Sequence, residues 1–109
     1  MKMNEYQERA KETAVFPKSD GYMYLTLGLC NEVGEVAGKV KKNIRGDYTN
    51  LDPDDIDTMV ADELGDVLWY LAMLSKEIGY TLEEIAQMNL DKLSARKARN
   101  TIKGSGDER

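Results

Sequence analysis

The sequence predicts an all-α fold of four helices joined by short connections. Apolar residues recur at helical spacing, helix-capping and helix-ending residues divide the chain into four segments, and strand-like alternation is confined to residues 22–27. With 109 residues, the chain suits one domain with a small core. We therefore expect residues 1–109 to form a single domain that ends in a Gly- and charge-rich tail, residues 100–109, and gains further core from a partner subunit.

The first two helices are delimited by proline and glycine. The first is predicted over residues 3–15, because Pro17 cannot continue the backbone hydrogen bonding and restricts the residue before it. The second is predicted to run from a cap at Ser19 or Asp20 up to Gly46, which is suited to a helix C-terminus.

The last two helices carry capping signals. Asp52 and Pro53 supply a cap and a first-turn proline for the third helix, which Gly79 ends. Thr81 and Glu84 form a capping box for the fourth helix, which extends to the start of the tail.

The absence of histidine excludes several classes of enzyme site. A Ser-His-Asp triad, a Cys-His pair, an HExxH zinc site and the Glu-x-x-His di-iron site all require that side chain. Cys30 is the only cysteine, so no internal disulfide forms and a reducing, cytoplasmic location is expected. Since Cys30 stands among apolar residues, we interpret it as a small packing residue. No signal peptide and no apolar run long enough to cross a membrane is present.

The charge balance bears on the partners of the protein. The chain has 20 acidic and 15 basic residues, which gives a net charge of −5. This balance disfavours nucleic-acid binding by charge alone. If the protein binds a phosphate-bearing ligand, we expect a metal cation to mediate the contact.

Two acid-x-x-acid pairs lie on the second and third helices: Glu32 with Glu35, and Glu63 with Asp66. Like charges at this spacing destabilise a helix, so their repetition indicates a role. On a helical wheel, Glu32 and Glu63 lie roughly 60–70° from the centre of the apolar stripe of their helix. Glu35 and Asp66 lie roughly 120–130° away, on the same side. The two stripes comprise Leu25, Leu29, Val33, Val36 and Val40, and Val60, Leu64, Val67, Leu71, Leu74 and Ile78.

Antiparallel packing through these stripes would bring the four carboxylates together at one edge of the core. Without a counter-ion they would repel one another strongly. Oxygen-only ligands suit Mg²⁺ or Mn²⁺, whereas the lack of His and thiolate ligands disfavours zinc. The alternative is that both pairs lie on solvated helix faces, where acidic residues are common. The position of Glu32 and Glu63 at the stripe margins, rather than opposite them, favours the metal site.

Three further residues of the second and third helices have candidate roles. Lys39 and Tyr70 lie one turn beyond the acid pairs. Lys39 would contact phosphate, or would be a helix-terminal cation. Tyr70 would contact a base or sugar, or would be a partly buried core residue. Trp69 lies opposite the stripe of the third helix, which predicts a second buried surface at a subunit interface.

Asn89, Lys92 and Arg96 share one face of the fourth helix. They form either a phosphate clamp opposite the metal site or a solvated helix end. The Gly-Ser-Gly-Asp stretch at 104–107 suits either a backbone anion nest or a flexible terminus, and its composition favours the flexible terminus.

The two acid pairs and their surroundings resemble the MazG-like all-α nucleoside triphosphate pyrophosphohydrolases. The resemblance spans nearly the whole chain and is carried by LGLCNEVGEVAGKVKK, ADELGDVLWYLAML and NLDKLSARKARNTIKGSGDER. It implies a compact member of that family, with a four-helix bundle completed in a homodimer or a dimer of dimers. It also implies Mg²⁺-dependent hydrolysis of a nucleoside triphosphate at the α–β bond, giving a nucleoside monophosphate and pyrophosphate in nucleotide-pool housecleaning. The motifs do not indicate the base.

The resemblance also implies residue roles. The metal ligands would be Glu32, Glu35, Glu63 and Asp66. Either Glu32 or Glu35 would orient or deprotonate the attacking water. More loosely, the polar residues of the fourth helix, Asn89, Lys92 and Arg96, match positions that contact substrate in the family.

Three other functions stay open. The first is a catalytically idle MazG-like bundle that serves as a binding or regulatory module, although all four acids are retained. The second is a Mg²⁺-dependent phosphohydrolase acting on a nucleoside diphosphate or a phosphoribosyl nucleotide. The third, DNA binding by the basic C-terminal end, is disfavoured by the net charge.

Overall fold

The computed structural model describes all residues, 1–109, and contains four α-helices and no strands. The helices are α1 (Met3–Ala10), α2 (Gly21–Arg45), α3 (Pro53–Glu77) and α4 (Leu82–Ala98). Short 3₁₀ turns at Lys11–Thr13 and Lys18–Asp20 connect α1 to α2. The predicted all-α class and the order of four helices are therefore confirmed.

The first helix is shorter than the sequence predicts. It ends at Ala10, and the chain tightens into a 3₁₀ turn well before Pro17. The Thr13 hydroxyl donates to the Ala10 carbonyl at 2.9 Å, so a side chain takes up a carbonyl that a longer helix would use. The predicted boundary at Pro17 is wrong because this local hydrogen bond ends the helix first.

The ends of α2, α3 and α4 largely follow the predicted signals. Gly46 and Gly79 adopt the left-handed conformation, with φ of 92° and 89°, which is favourable for glycine. Capping boxes start α3, through Asp52 and Asp55, and α4, through Thr81 and Glu84. Asp20 precedes α2, but its side chain makes no capping hydrogen bond.

The buried core lies where α1 crosses the α2–α3 hairpin. It comprises Ala10, Leu25, Ala72, Met73 and Leu82. Gln7 ties α1 to α3 and to the start of α4, since its side-chain amide donates to the Ala72 carbonyl at 3.0 Å and accepts from the Leu82 amide at 3.2 Å. The side chain of Gln7 is buried and hydrogen bonded on both sides, as a buried polar group requires.

The contact between α2 and α3 differs from the one expected. Large parts of both apolar stripes stay exposed, with Val33 51% and Leu64 52% accessible. The helices instead meet along the neighbouring face, where Gly28 lies against the Tyr70 ring. The stripes thus contribute to the core only at one end, through Leu25 and Leu74. The prediction that they pack along their length within one chain is wrong, because Gly28 lets the Tyr70 ring approach α2 on the neighbouring face.

Two further interpretations need correction. Trp69 packs against α1 of its own chain, where its indole N–H donates to the Ala10 carbonyl at 3.1 Å and to the Thr13 hydroxyl at 2.8 Å. The second buried surface that Trp69 indicates is thus covered by α1 and needs no partner subunit. Cys30 is exposed rather than buried, because it lies on the face of α2 that turns away from α3.

Helix α4 packs through its first turn only. Leu82 is buried there, but residues 86–95 are all exposed, including the apolar Met88, Leu90 and Leu93. The accessible surface of the chain is 7977 Å², whereas a compact monomer of this mass exposes about 6,100 Å². None of the helices is long and apolar enough to span a membrane.

Candidate metal centre

The antiparallel register of α2 and α3 places the two acid pairs opposite each other. Gly21 faces Glu77 and Gly28 faces Tyr70. Continued one turn further, this register places Glu32 opposite Asp66. Along the side of α2 that faces α3, the residues thus change from small at Gly21 and Gly28, near the buried core, to acidic at Glu32.

Three carboxylates converge between the helices. One oxygen of each of Glu32, Glu63 and Asp66 lies within 4.8 Å of the others, and we call these residues the acidic cluster. Glu32 and Glu63 are half-buried, and Asp66 is exposed. Glu35, the fourth candidate ligand, lies outside this group and is exposed. A divalent cation would bring such oxygens closer together and neutralise them.

The electrostatics of the acidic cluster are centred on Glu32. Its burial raises the pKa of the Glu32 carboxyl, and the negative charges of Asp66, Glu63 and Glu35 raise that pKa further. The charge of Glu35 therefore acts on the cluster although its carboxylate stands apart. Raised pKa values of this origin are typical of sites that bind a cation or a proton.

Lys39 and Tyr70 lie beside the acidic cluster. The Lys39 ammonium lies 3.9 Å from a carboxylate oxygen of Glu63. Burial raises the pKa of the Tyr70 phenol, and so do the neighbouring phenol of Tyr24 and the charge of Glu32.

Sequence reasoning missed two tyrosines near the cluster. Tyr24 contacts Tyr70 and stacks on Phe16, with ring centroids 5.3 Å apart. Tyr6 of α1 is close enough to Asp66 that this charge adds to the effect of burial in raising the Tyr6 pKa. A signal for Tyr24 exists, because it lies one helical turn before Gly28, which itself lies one turn before Glu32. No local pattern indicates Tyr6, which α1 brings in from a distant part of the chain.

The three candidate residues of α4 are not brought to the acidic cluster within one chain. Asn89 and Lys92 lie on the exposed part of α4. Lys92 and Arg96 instead form ion pairs with Asp107 of the tail, at 3.2 and 3.1 Å. The tail thus folds back onto the end of α4.

Comparison with known proteins places these helices in a family. A family model described as the MazG nucleotide pyrophosphohydrolase domain matches residues 21–100. The chain belongs to the MazG family. The match covers α2, α3 and α4, and so includes both acid pairs of this MazG protein.

One relative is similar along its full length. The chain is 42% identical over 118 aligned positions to "Gene 37 protein" of Mycobacterium phage L5, with 100% of each chain covered. No solved structure matches significantly. The membership of the MazG family indicates nucleotide pyrophosphohydrolase activity, and the acidic cluster is of the kind that holds a divalent cation.

Proposed function

We propose that the protein hydrolyses a nucleoside or deoxynucleoside triphosphate at the α–β bond, in a Mg²⁺-dependent reaction that releases a nucleoside monophosphate and pyrophosphate. The observation that carries the proposal is the convergence of Glu32, Glu63 and Asp66 between two helices of a MazG domain. The cellular role would be the removal of modified or surplus nucleotides.

The donor set fits Mg²⁺, with Mn²⁺ as a substitute. All the candidate ligands are carboxylates, and hard divalent cations prefer oxygen. The residues that would hold the cation are Glu32, Glu63 and Asp66, with Glu35 as the fourth. When bound, the cation supplies charge neutralisation for the phosphates and lowers the pKa of a water.

Each protein group then has a distinct task. Glu32 or Glu35 orients the attacking water and accepts its proton. Lys39 pairs with a phosphate oxygen, and Tyr70 contacts the sugar or base.

Substrate contacts from α4 require a second copy of the chain. Within one protomer Asn89 and Lys92 lie on the exposed part of α4, and Lys92 and the buried Arg96 pair with Asp107 of the tail rather than with the acidic cluster. We propose a homodimer or dimer of dimers that brings them to a site and covers the exposed stripes. The accessible surface of the chain is about 1,900 Å² larger than that of a compact monomer of this mass. This difference is more than the roughly 800 Å² that each partner buries in a standard interface.

The assembly is tested by the mass in solution. Multi-angle light scattering should give a multiple of the protomer mass of 12.3 kDa. Leu64→Glu, in the exposed part of the α3 stripe, should lower that mass to one protomer. Glu108→Gln, a charge change in the tail, serves as a control that should leave it unchanged. A monomeric wild-type protein would refute the proposed assembly.

The activity is tested by pyrophosphate release from a panel of standard and modified nucleoside triphosphates, with Mg²⁺ and with a chelator. Metal-dependent pyrophosphate release from any of them supports the reaction and ranks the bases. Orthophosphate release, or turnover of a nucleoside diphosphate or phosphoribosyl nucleotide alone, would contradict the proposed reaction and indicate another phosphohydrolase. A folded, oligomeric protein that releases nothing would indicate a binding module.

A further inference from the structure

The tail places a carboxylate on the basic side chains of α4. Asp107 Oδ1 lies 3.2 Å from Lys92 Nζ and 3.1 Å from Arg96 Nη2. The Gly106 carbonyl accepts from the same Arg96 nitrogen at 3.4 Å. The turn is closed by the Thr101 amide, which donates to the Arg96 carbonyl at 2.8 Å. A single carboxylate oxygen therefore serves two cations at once.

Arg96 is the unusual member of this group. Only 5% of its side chain is exposed, although arginine is rarely buried unless fully paired. Its Nε is buried and has no hydrogen-bond partner, and such an unpaired donor is unfavourable. Asp107 thus neutralises the guanidinium without using its full set of donors.

A phosphate group matches these donors better than Asp107 does. A guanidinium presents its N–H groups as a planar fork that suits two oxygens of one anion. A phosphate has enough oxygens to accept from Nε and Nη2 of Arg96 and from Lys92 together. The Asp107 carboxylate shares one oxygen between Lys92 and Arg96 and leaves Nε unpaired.

We propose that Lys92 and Arg96 form a phosphate-binding site that the Asp107 carboxylate occupies until the phosphate chain of a nucleotide displaces it. Asp107 is an internal competitor, favoured because the tail keeps it at high local concentration. A pyrophosphate or triphosphate group displaces it because such a group brings more charge and more acceptor oxygens. This inference rests on the proposed function for the source of the ligand, since a nucleoside triphosphate and its pyrophosphate product share that chemistry.

The test uses inorganic pyrophosphate as the probe and the full chain as the protein. Pyrophosphate is titrated calorimetrically in the presence of a chelator, so that no cation links it to the acidic cluster. Asp107→Asn should tighten pyrophosphate binding by roughly threefold to fivefold, the range expected for losing an exposed ion-pair competitor. Equal or weaker binding than wild type would overturn the proposal.

Two variants distinguish competition by Asp107 from a general effect of negative charge on pyrophosphate binding. Glu108→Gln removes the same charge one residue away, where the carboxylate is exposed and forms no ion pair, and it should leave the affinity within about twofold. Arg96→Gln, added to Asp107→Asn, should abolish the gain. If Glu108→Gln tightens binding as much as Asp107→Asn does, the effect is long-range charge and the proposal fails.

A measurement on the unmutated chain covers the case in which a variant misfolds. The amide resonances of Gly106 and Asp107 should move on addition of pyrophosphate, towards their positions in Asp107→Asn. No movement at saturating pyrophosphate would overturn the proposal. Turnover is assayed separately with Mg²⁺: turnover without displacement of Asp107 refutes this inference alone, and displacement without turnover refutes the proposed activity alone.

Discussion

The ring of Tyr70 lies directly against the backbone of Gly28, where α2 and α3 approach each other most closely. A β-carbon at position 28 would overlap three atoms of that ring. The contact stands one turn from Glu32 on α2 and one turn from Asp66 on α3. The spacing of the helices at the acidic cluster therefore depends on the lack of a side chain at Gly28.

Gly28→Ala should push Tyr70 out of its place and separate the two helices. We expect an overpacking cost of about 1–3 kcal/mol, which offsets or exceeds the gain of about 1 kcal/mol from replacing a helical glycine. The matched control is Gly34→Ala on the same helix, where an added β-carbon meets nothing within 4 Å. Urea unfolding should show Gly28→Ala to be clearly less stable than Gly34→Ala, and equal stabilities would contradict the role of the contact.

Substitution in the acidic cluster should remove activity without lowering the stability of the metal-free protein. Glu63→Gln should reduce kcat/KM by more than the roughly 10–100-fold that follows loss of an outer-shell partner. Its free energy of unfolding in chelator should stay equal or rise, because repulsion with Glu32 and Asp66 is relieved. Glu35→Gln should behave in the same way if Glu35 is a ligand.

Asp62→Asn is the control for these variants, since Asp62 neighbours Glu63 but is exposed and lies outside the cluster. Activity and unfolding are measured on the same preparations, with circular dichroism to verify helicity. Retained turnover in either Gln variant would remove that residue from the set of ligands. A large loss of metal-free stability would indicate that the acids have a structural role.

Trp69→Phe should destabilise the protomer and leave its oligomeric state unchanged. The substitution removes the indole N–H that bonds Ala10 and Thr13 and leaves a smaller ring, at an expected cost of about 1–3 kcal/mol. Tyr22→Phe, at a tyrosine that is 64% exposed, should cost little. The checks are thermal unfolding and light scattering, and dissociation of the oligomer by Trp69→Phe would restore the interface interpretation.

The ion pairs between Asp107 and α4 should be lost in acid. The hydrogen bond and charge of Lys92, followed by those of Arg96, hold the pKa of Asp107 below its ordinary 3.8. Because the pKa of Asp107 is lowered in the folded tail, the ion pairs stabilise the tail at pH values above 3.8, the ordinary pKa of the group. This stabilisation is lost as the pH falls through the lowered pKa. The Gly106 amide resonance should follow this titration, and the transition should be absent in Asp107→Asn. A titration of Asp107 at its ordinary pKa would contradict the ion pairs.

The sequence by itself determined the number, order and most ends of the helices. These depend on local chemistry, namely capping boxes at Asp52 and Thr81 and left-handed glycines at Gly46 and Gly79. The acid pairs of α2 and α3 were also visible from their spacing. Helical periodicity fixes which residues share a face, so the candidate ligands followed without any knowledge of packing.

Only the tertiary structure decided which faces meet. Apolar stripes predicted one contact between α2 and α3, but Gly28 and Tyr70 set another, because helix approach depends on side-chain size as well as on hydrophobicity. The positions of Tyr6, Trp69 and Asp107 likewise depend on contacts between residues far apart in the sequence. Periodicity along a helix carries no information on such partners, since they are fixed by shape and charge across elements.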